Sequence, residues 1–223
     1  MKALEFVTET KRQMANYTIG EICKSELIEV ANLVAKAVPN AIISKLGNKF
    51  GAIFYSKVVE QEYSCGYVAR DESDNILGVI IGTTDHPKAR SIAFKGQLAK
   101  LLLAANFRLL SWSVISWLVK GIVTKIRGKK QEHTDTPVAE LIVITIHPKA
   151  RGTGLAKELV KKMEKFMISK GLRGPYTILT EKANTRANRF YEKIGATFVR
   201  TNLHHERKIN EWHKEITSAR GDG

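Results

Sequence analysis

AELIVITIHPKARGTGLAKEL, residues 139–159, changes periodicity halfway along, and the fold is read from that change. Ala139 to Ile146 is a dense run of β-branched residues, which predicts a buried strand. Pro148 ends it, because proline has no N–H for a ladder. Arg151-Gly152-Thr153-Gly154-Leu155-Ala156 then opens a helix predicted over Gly152 to Lys170, with Leu155, Leu159, Val160, Met163 and Phe166 on one face. Glycines at such a turn let backbone approach a ligand closely. The first N–H groups of the helix point outward and, with the helix dipole, favour an anion. Arg151 adds a guanidinium suited to phosphate. Alone, the segment reads equally well as a tight turn, and it lacks the lysine of a nucleotide-binding P-loop.

Working outward, Tyr176–Glu181 (YTILTE) predicts a strand, Asn184 to Ile194 a short helix and ATFVRT, after Gly195, another strand. A last strand is expected within Glu206 to Ile216, and Ser218 to Gly223 as a frayed tail. Upstream, Tyr17 to Ile22 predicts a strand. Ser25 is placed as N-cap of a helix carrying Leu27, Val30, Ala31, Val34 and Ala35. A second helix is expected over about Asn48 to Val59. Two β-rich runs flank the polar Asp71–Asn75 turn, a hairpin pattern.

The glycine loop does not stand alone. About thirty residues on comes NTRANRFYEKIGATF, Asn184 to Phe198. Together the two stretches resemble the GCN5-related N-acetyltransferase (GNAT) superfamily. Arg151, Gly154 and Ala156 match its pyrophosphate loop, and Asn184, Ala187, Tyr191 and Gly195 match its second cofactor element. The resemblance implies an α/β fold with a mixed, splayed central sheet flanked by helices, spanning residues 1–223 as one domain. It implies acetyl-CoA, or another acyl-CoA, as co-substrate between the strands at 139–146 and 176–181, an amine acceptor, and no metal. Ile144, Thr145 and Ile146 would face the pantetheine arm, and Gly152, Thr153, Gly154, Leu155 and Ala156, with Arg151, would wrap the pyrophosphate. Asn184 would meet the pantetheine or adenosine end while also capping its helix, and Asn188 would add a second polar contact.

Acyl transfer to an amine needs a base for the amine proton and an acid for the leaving thiolate. Tyr191 matches the family's acid. Glu140, opening the strand six residues before Ile146, occupies the place of the catalytic glutamate of histone-acetylating relatives, although a strand-end surface glutamate fits the same position. Relatives that acetylate protein N-termini carry a glutamate on the later strand, where this chain has Leu179, with Glu181 two residues on. That departure speaks against terminal protein acetylation. The acceptor stays open among amino sugars, lipid-linked amines, small metabolites and protein lysines.

Charge is the main deviation in composition. Lys and Arg number 36 against 22 acids, a net +14, which favours an anionic partner. From Pro87 to Lys130 there are ten basic residues and no acid, so this one segment supplies most of the surplus. Residues 87–137 read as a basic, apolar helical insertion: a helix over about 93–110, then Trp112, Ile115, Val119, Ile122, Val123 and Ile126 at helical spacing. Its longest uncharged run, Leu109–Val119, is 11 residues, short of the ~20 that a spanning helix needs. The insertion suits a lid over the acceptor side, a surface resting on anionic membrane, or, with less support, a nucleic-acid contact, since no readout module accompanies the charge.

With 43% hydrophobic residues the chain is an ordinary globular one, not a disordered one. Two cysteines, Cys23 and Cys65, cannot build a disulfide framework or a four-thiolate zinc site, and both are expected buried. His204, His205 and His213 have no completing ligands in sequence. Without a signal-peptide pattern, the expected location is the cytoplasm, with peripheral contact at its membrane face through the insertion. An N-acyltransferase is the leading reading. A non-catalytic acyl-CoA-binding or membrane-docking module, or a basic nucleic-acid-binding protein, are the alternatives.

Overall fold

The computed structural model describes residues 16–94, 137–204 and 207–216. A seven-stranded sheet forms its centre, in the order β1-β2-β3-β4-β5-β7-β6. The strands are β1 (Thr18–Glu21), β2 (Ser64–Arg70), β3 (Ile76–Thr83), β4 (Glu140–Ile146), β5 (Tyr176–Glu181), β6 (Thr197–His204) and β7 (Arg207–Lys214). Neighbours run antiparallel except β4 and β5, which are parallel and are paired only at Glu140↔Thr177 and Leu141↔Ile178. Beyond Leu141 the two strands part, and the β5-facing edge of β4 loses its strand partner. The sheet therefore forks between β4 and β5, as the expected splayed α/β architecture requires.

Helices cover both faces. On one, α1 (Leu27–Ala37), α2 (Ile42–Leu46) and α3 (Asn48–Val59) bury Val30, Val34, Phe50, Phe54 and Val58 against Val68, Val79 and Ile81. On the other, α5 (Leu155–Ser169) and α6 (Thr185–Lys193) bury Leu155, Leu159, Met163, Met167 and Tyr191 against Ile80, Leu141, Tyr176, Ile178 and Trp212. The α5 stripe repeats at i, i+4, i+8 and i+12, so one face of a fifteen-residue helix meets the sheet. Each fully buried side chain of this size contributes about 1.5–3 kcal/mol of hydrophobic stabilisation.

Several expectations need correction. Ser25 is not the N-cap. A short 3-10 turn, Lys24–Glu26, precedes α1, and Glu26 reaches back to accept from the Cys23 N–H at 2.7 Å. Cys23 caps this turn and is exposed; Cys65, within β2, is buried. The helix after the glycine loop starts at Leu155 rather than Gly152, because Gly152 and Gly154 take left-handed backbone at φ 82° and 93°. β4 is only half-buried at Ile142, Val143, Ile144 and Ile146, because the fork opens beside it. α2 had no counterpart in the sequence reading.

α4 (His86–Phe94) opens the insertion, with the His86 N–H donating to the Val138 carbonyl at 2.9 Å. The remainder of the expected helical insertion, including the Trp112–Ile126 pattern, lies outside the described residues, as does the 218–223 tail.

Candidate functional site at the strand fork

The fork, the glycine loop and α6 enclose a cavity of about 410 Å³, within the ordinary range for a small-molecule site. Ile144, Thr145 and Ile146 form its strand wall, Arg151, Gly152, Gly154, Leu155 and Ala156 its loop wall, and Asn184 and Tyr191 its α6 wall. Ten of the residues expected at a cofactor site therefore converge on one space. Thr153, Asn188 and Glu140 do not line it.

The loop is built for an anion. After β4 a 3-10 turn, Pro148–Ala150, turns the chain, and the Arg151 Nε donates to the Ile146 carbonyl at 3.3 Å. Thr153 braces the turn from inside: its hydroxyl donates to the Ala150 carbonyl at 2.8 Å and accepts from the Leu155 N–H at 3.4 Å. The N–H groups of Gly152, Thr153, Gly154 and Ala156 have no acceptor among the described residues. They stand at the N-terminus of a four-turn helix, where free donors and dipole favour negative charge.

The electrostatics agree. Lys157, Arg186 and Lys193 join Arg151 around the cavity, and no carboxylate lines it. These three cations and Phe190 escaped the sequence reading. Spacing held the signal, since Arg186, Phe190 and Lys193 follow at helical intervals along one stripe of α6.

Thr145 lines the cavity, and its hydroxyl is buried and has no hydrogen-bond partner. An orphaned buried hydroxyl costs about 1–3 kcal/mol, a cost that a polar group of a bound molecule reaching it would relieve. Burial raises the Tyr191 phenol well above its usual pKa, so it stays protonated and has a hydrogen to donate. Its oxygen makes no hydrogen bond among the described residues, and the ring leans on Phe190 with centroids 5.7 Å apart.

Asn184 caps α6 by accepting from the Ala187 N–H at 3.1 Å and also faces the cavity. Asn188 is different. Its amide nitrogen donates to the Glu181, Lys182 and Asn184 carbonyls, and its oxygen accepts from Asn210 Nδ2 at 2.9 Å and Trp212 Nε1 at 3.1 Å. With its hydrogen-bonding capacity committed, it ties α6 to β7 and leaves nothing for a ligand. Glu140 sits at the closed end of the fork, where its carboxylate meets His86 Nδ1 at 2.9 Å. Among the described residues no cluster of His, Cys, Asp or Glu could hold a metal ion.

The fit to acetyl-CoA rests on four features together: free loop N–H groups for a diphosphate, a cationic rim, an unpaired strand edge for an amide-bearing arm, and an orphaned hydroxyl beside that edge.

A family model described as "Acetyltransferase (GNAT) family" matches residues 45–196. The mycothiol acetyltransferase of Thermobispora bispora is 35% identical over 74 residues, 33% of this chain and 24% of that protein. The chain thus spans about a quarter of the length of that curated relative. Among solved structures, an N-acetyltransferase from Staphylococcus aureus Mu50 superposes with a TM-score of 0.56 at 12% identity, covering 91% of this chain and all of that one. yncA from Salmonella typhimurium, solved with its cofactor acetyl-CoA, gives 0.56 at 11% identity over 94% of this chain and 99% of the other. At such identities the two structures establish the shared fold.

Proposed function

The chain belongs to the acetyltransferase (GNAT) family, and from that premise we propose that it is an N-acetyltransferase that moves the acetyl group of acetyl-CoA to a primary amine by direct attack. The single observation that carries this reading is the acid-free cavity at the fork, with its orphaned Thr145 hydroxyl and unpaired strand edge.

Gly152, Thr153, Gly154 and Ala156 offer backbone N–H groups to the pyrophosphate, and Arg151, Lys157, Arg186 and Lys193 offset its charge. Ile144 and Ile146 present strand backbone to the pantetheine amides, and Thr145 donates its hydroxyl there. The register of β4 slips against β3 between Ile81 and Gly82, leaving Ile142 as an extra residue at the level where β5 departs. A bulge there re-aims the backbone at the fork. The amine nitrogen bonds to the acyl carbon, the carbon–sulfur bond breaks, and Tyr191 gives its phenolic proton to the sulfur. Glu140 belongs to the removal of the amine proton.

The decisive test is release of CoA from acetyl-CoA across a panel of amino sugars, polyamines, amino acids and lysine peptides, comparing wild type with Tyr191→Phe. Turnover with at least one amine, reduced about 10²–10⁴-fold in the variant, supports the reading. Tight CoA binding with no turnover on any amine favours the non-catalytic acyl-CoA-binding module instead.

We place the protein in the cytoplasm, in peripheral contact with anionic membrane through the ten cations between Pro87 and Lys130. No helix among the described residues is long and apolar enough to cross a membrane.

A further inference from the structure

On the sheet face opposite α5, the strands bring a polar row to the closed end of the fork. Thr83 of β3 is in register with Glu140 of β4, Glu140 with Thr177 of β5, and Thr177 with His213 of β7. Residues in register share a face, so these side chains stand side by side across four strands. Ala139 and Leu141, which flank Glu140, pack toward α5, as do Tyr176 and Ile178, which flank Thr177. The row therefore faces away from the glycine loop. The first unpaired residue of β4 lies two positions beyond Glu140.

Two carboxylate–imidazole pairs belong to this face. His213 Nε2 lies 3.0 Å from Glu211 Oε1, and the same carboxylate also accepts from Arg200 at 2.8 and 3.1 Å and from Asn202 at 3.0 Å. Burial alone would raise the Glu211 carboxyl, but the Arg200 and His213 hydrogen bonds outweigh it and hold it below the usual range. That pair is locked into β6 and β7, and β5 separates it from the free edge of β4.

The other pair is simpler. Glu140 Oε2 lies 2.9 Å from His86 Nδ1, the carboxylate being 12% exposed and the imidazole 31%. An ionised carboxylate only accepts, so Nδ1 carries the hydrogen, and in the neutral form of the ring Nε2 holds the lone pair. Nothing among the described residues bonds to Nε2. His86 is held from both directions, its backbone N–H on the Val138 carbonyl at 2.9 Å and its ring on β4. The other charged groups close by are occupied: Asp85 accepts from the Lys88 N–H at 3.0 Å, and the Lys88 ammonium lies 4.7 Å over the Tyr63 ring.

We propose that His86 is the group that takes the proton from the attacking amine and that Glu140 is its positioning residue, acting through His86 rather than on the acceptor. The proposal rests on the acetyl-transfer reading and refines it. As nitrogen bonds to the acyl carbon and the carbon–sulfur pair leaves with sulfur, Nε2 takes the amine proton and Tyr191 supplies one to the thiolate. Glu140 stays ionised and stabilises the imidazolium. His86 then releases its proton to solvent, and Tyr191 regains one from it, so the enzyme returns to its starting state. The acceptor accordingly enters from the face opposite the glycine loop.

An affinity probe tests this without knowledge of the acceptor. Bromoacetyl-CoA carries an electrophilic carbon where acetyl-CoA carries its methyl group. A nucleophilic nitrogen within reach displaces bromide and forms a stable N–C bond. Incubation of the full chain with this probe, followed by peptide mass spectrometry, should place one adduct on His86 Nε2. Glu140→Gln should slow the labelling at least about tenfold while binding CoA as wild type does.

In turnover, His86→Ala should lower kcat about 10²–10⁴-fold with KM for acetyl-CoA unchanged, and added imidazole should restore part of the rate. A probe that binds but labels another side chain, or none, overturns the assignment of His86. Labelling undiminished by Glu140→Gln overturns the positioning role. Failure of the wild-type chain to bind CoA at all overturns the acetyl-transfer reading itself, an outcome visible by calorimetry before any labelling is attempted.

Discussion

Gly154→Ala should weaken CoA binding by an amount fixed in advance by backbone geometry. Gly154 holds φ 93° and ψ −11° immediately before α5, and a Cβ built there meets nothing within 4 Å. Added bulk therefore clashes with no neighbour, and the penalty is the left-handed backbone itself, about 1–2 kcal/mol for an L residue. A free loop sheds that strain by changing shape, since its outward N–H groups are bonded to nothing among the described residues. Closing on a pyrophosphate restores the strained form, so the cost returns as lost affinity. At about 1.4 kcal/mol per decade, this is a rise of roughly 5–30-fold in Kd. Gly154→Asp adds a carboxylate against the phosphates and should lower affinity further. Gly171, at φ 87° with equally open surroundings at the far end of α5, is the control. Gly171→Ala carries the same backbone penalty and should lower Tm without changing CoA affinity. Calorimetric titration of CoA into all three variants, with thermal melts, separates the cases. Undiminished affinity in Gly154→Ala, or an equal loss in Gly171→Ala, would refute the assignment of this loop to the pyrophosphate.

Thr145→Val should move stability and binding in opposite directions. Removing a buried hydroxyl that has no partner leaves the fold as stable or up to about 1–3 kcal/mol more so, while CoA affinity falls; a loss of both in melts and titration would make the hydroxyl structural. Glu26 gives a pH signature: hydrogen bonds from the Arg70 guanidinium at 2.6 and 2.7 Å hold its carboxyl below the usual range. A depressed folded-state value means the contribution is complete above the unfolded carboxylate value of about 4.3 and disappears as pH falls through the folded one. Glu26→Gln should therefore lower urea-unfolding stability near neutrality and flatten its decline in acid, and parallel curves for variant and wild type would contradict the pairing. Replacing Lys120, Lys125, Arg127, Lys129 and Lys130 with glutamine should abolish co-sedimentation with anionic vesicles and leave CoA affinity intact; equal binding of wild type to neutral vesicles would remove the electrostatic basis.

What the sequence discloses is what local chemistry decides. The change from β-branched strand to glycine turn to amphipathic helix over 139–169 is visible because each part states its own preference within a few residues. Asn184 as a cap is visible for the same reason. The errors share the opposite property. Ser25 loses the capping role because Glu26 reaches back to Cys23, and Glu26 is oriented by Arg70, 44 positions later. Asn188 suits a ligand in a short motif, but Asn210 and Trp212 claim its oxygen from 22 and 24 residues downstream. The run Ala139–Ile146 reads as a buried strand, yet where β5 departs from β4 is a property of the whole sheet. Arg186 and Lys193 were there to be read beside Tyr191, but helical spacing does not show which face meets a cavity.

Glu140 shows most clearly how tertiary structure reassigns a role. Position alone places it near the chemistry, and a lone carboxylate there would have to collect the proton itself. Folding sets His86 against it from 54 residues upstream, with the carboxylate the more buried of the two. A carboxylate whose oxygen is spent on an imidazole N–H orients and stabilises that ring; the free imidazole nitrogen is the better-exposed base. The same fork then separates two electrostatic tasks by strand geometry. Cations and backbone donors gather where β4 runs out into the glycine loop, with no carboxylate among them. The carboxylate–imidazole pairs stand at the closed end, on the other face. Mixing the two would neutralise the donors needed for a diphosphate and hold the imidazole in a cationic field that opposes its taking a proton. Six residue steps along the strand from Ile146 to Glu140, at about 3.3 Å each, keep them roughly 20 Å apart, the span of an extended acyl-pantetheine arm.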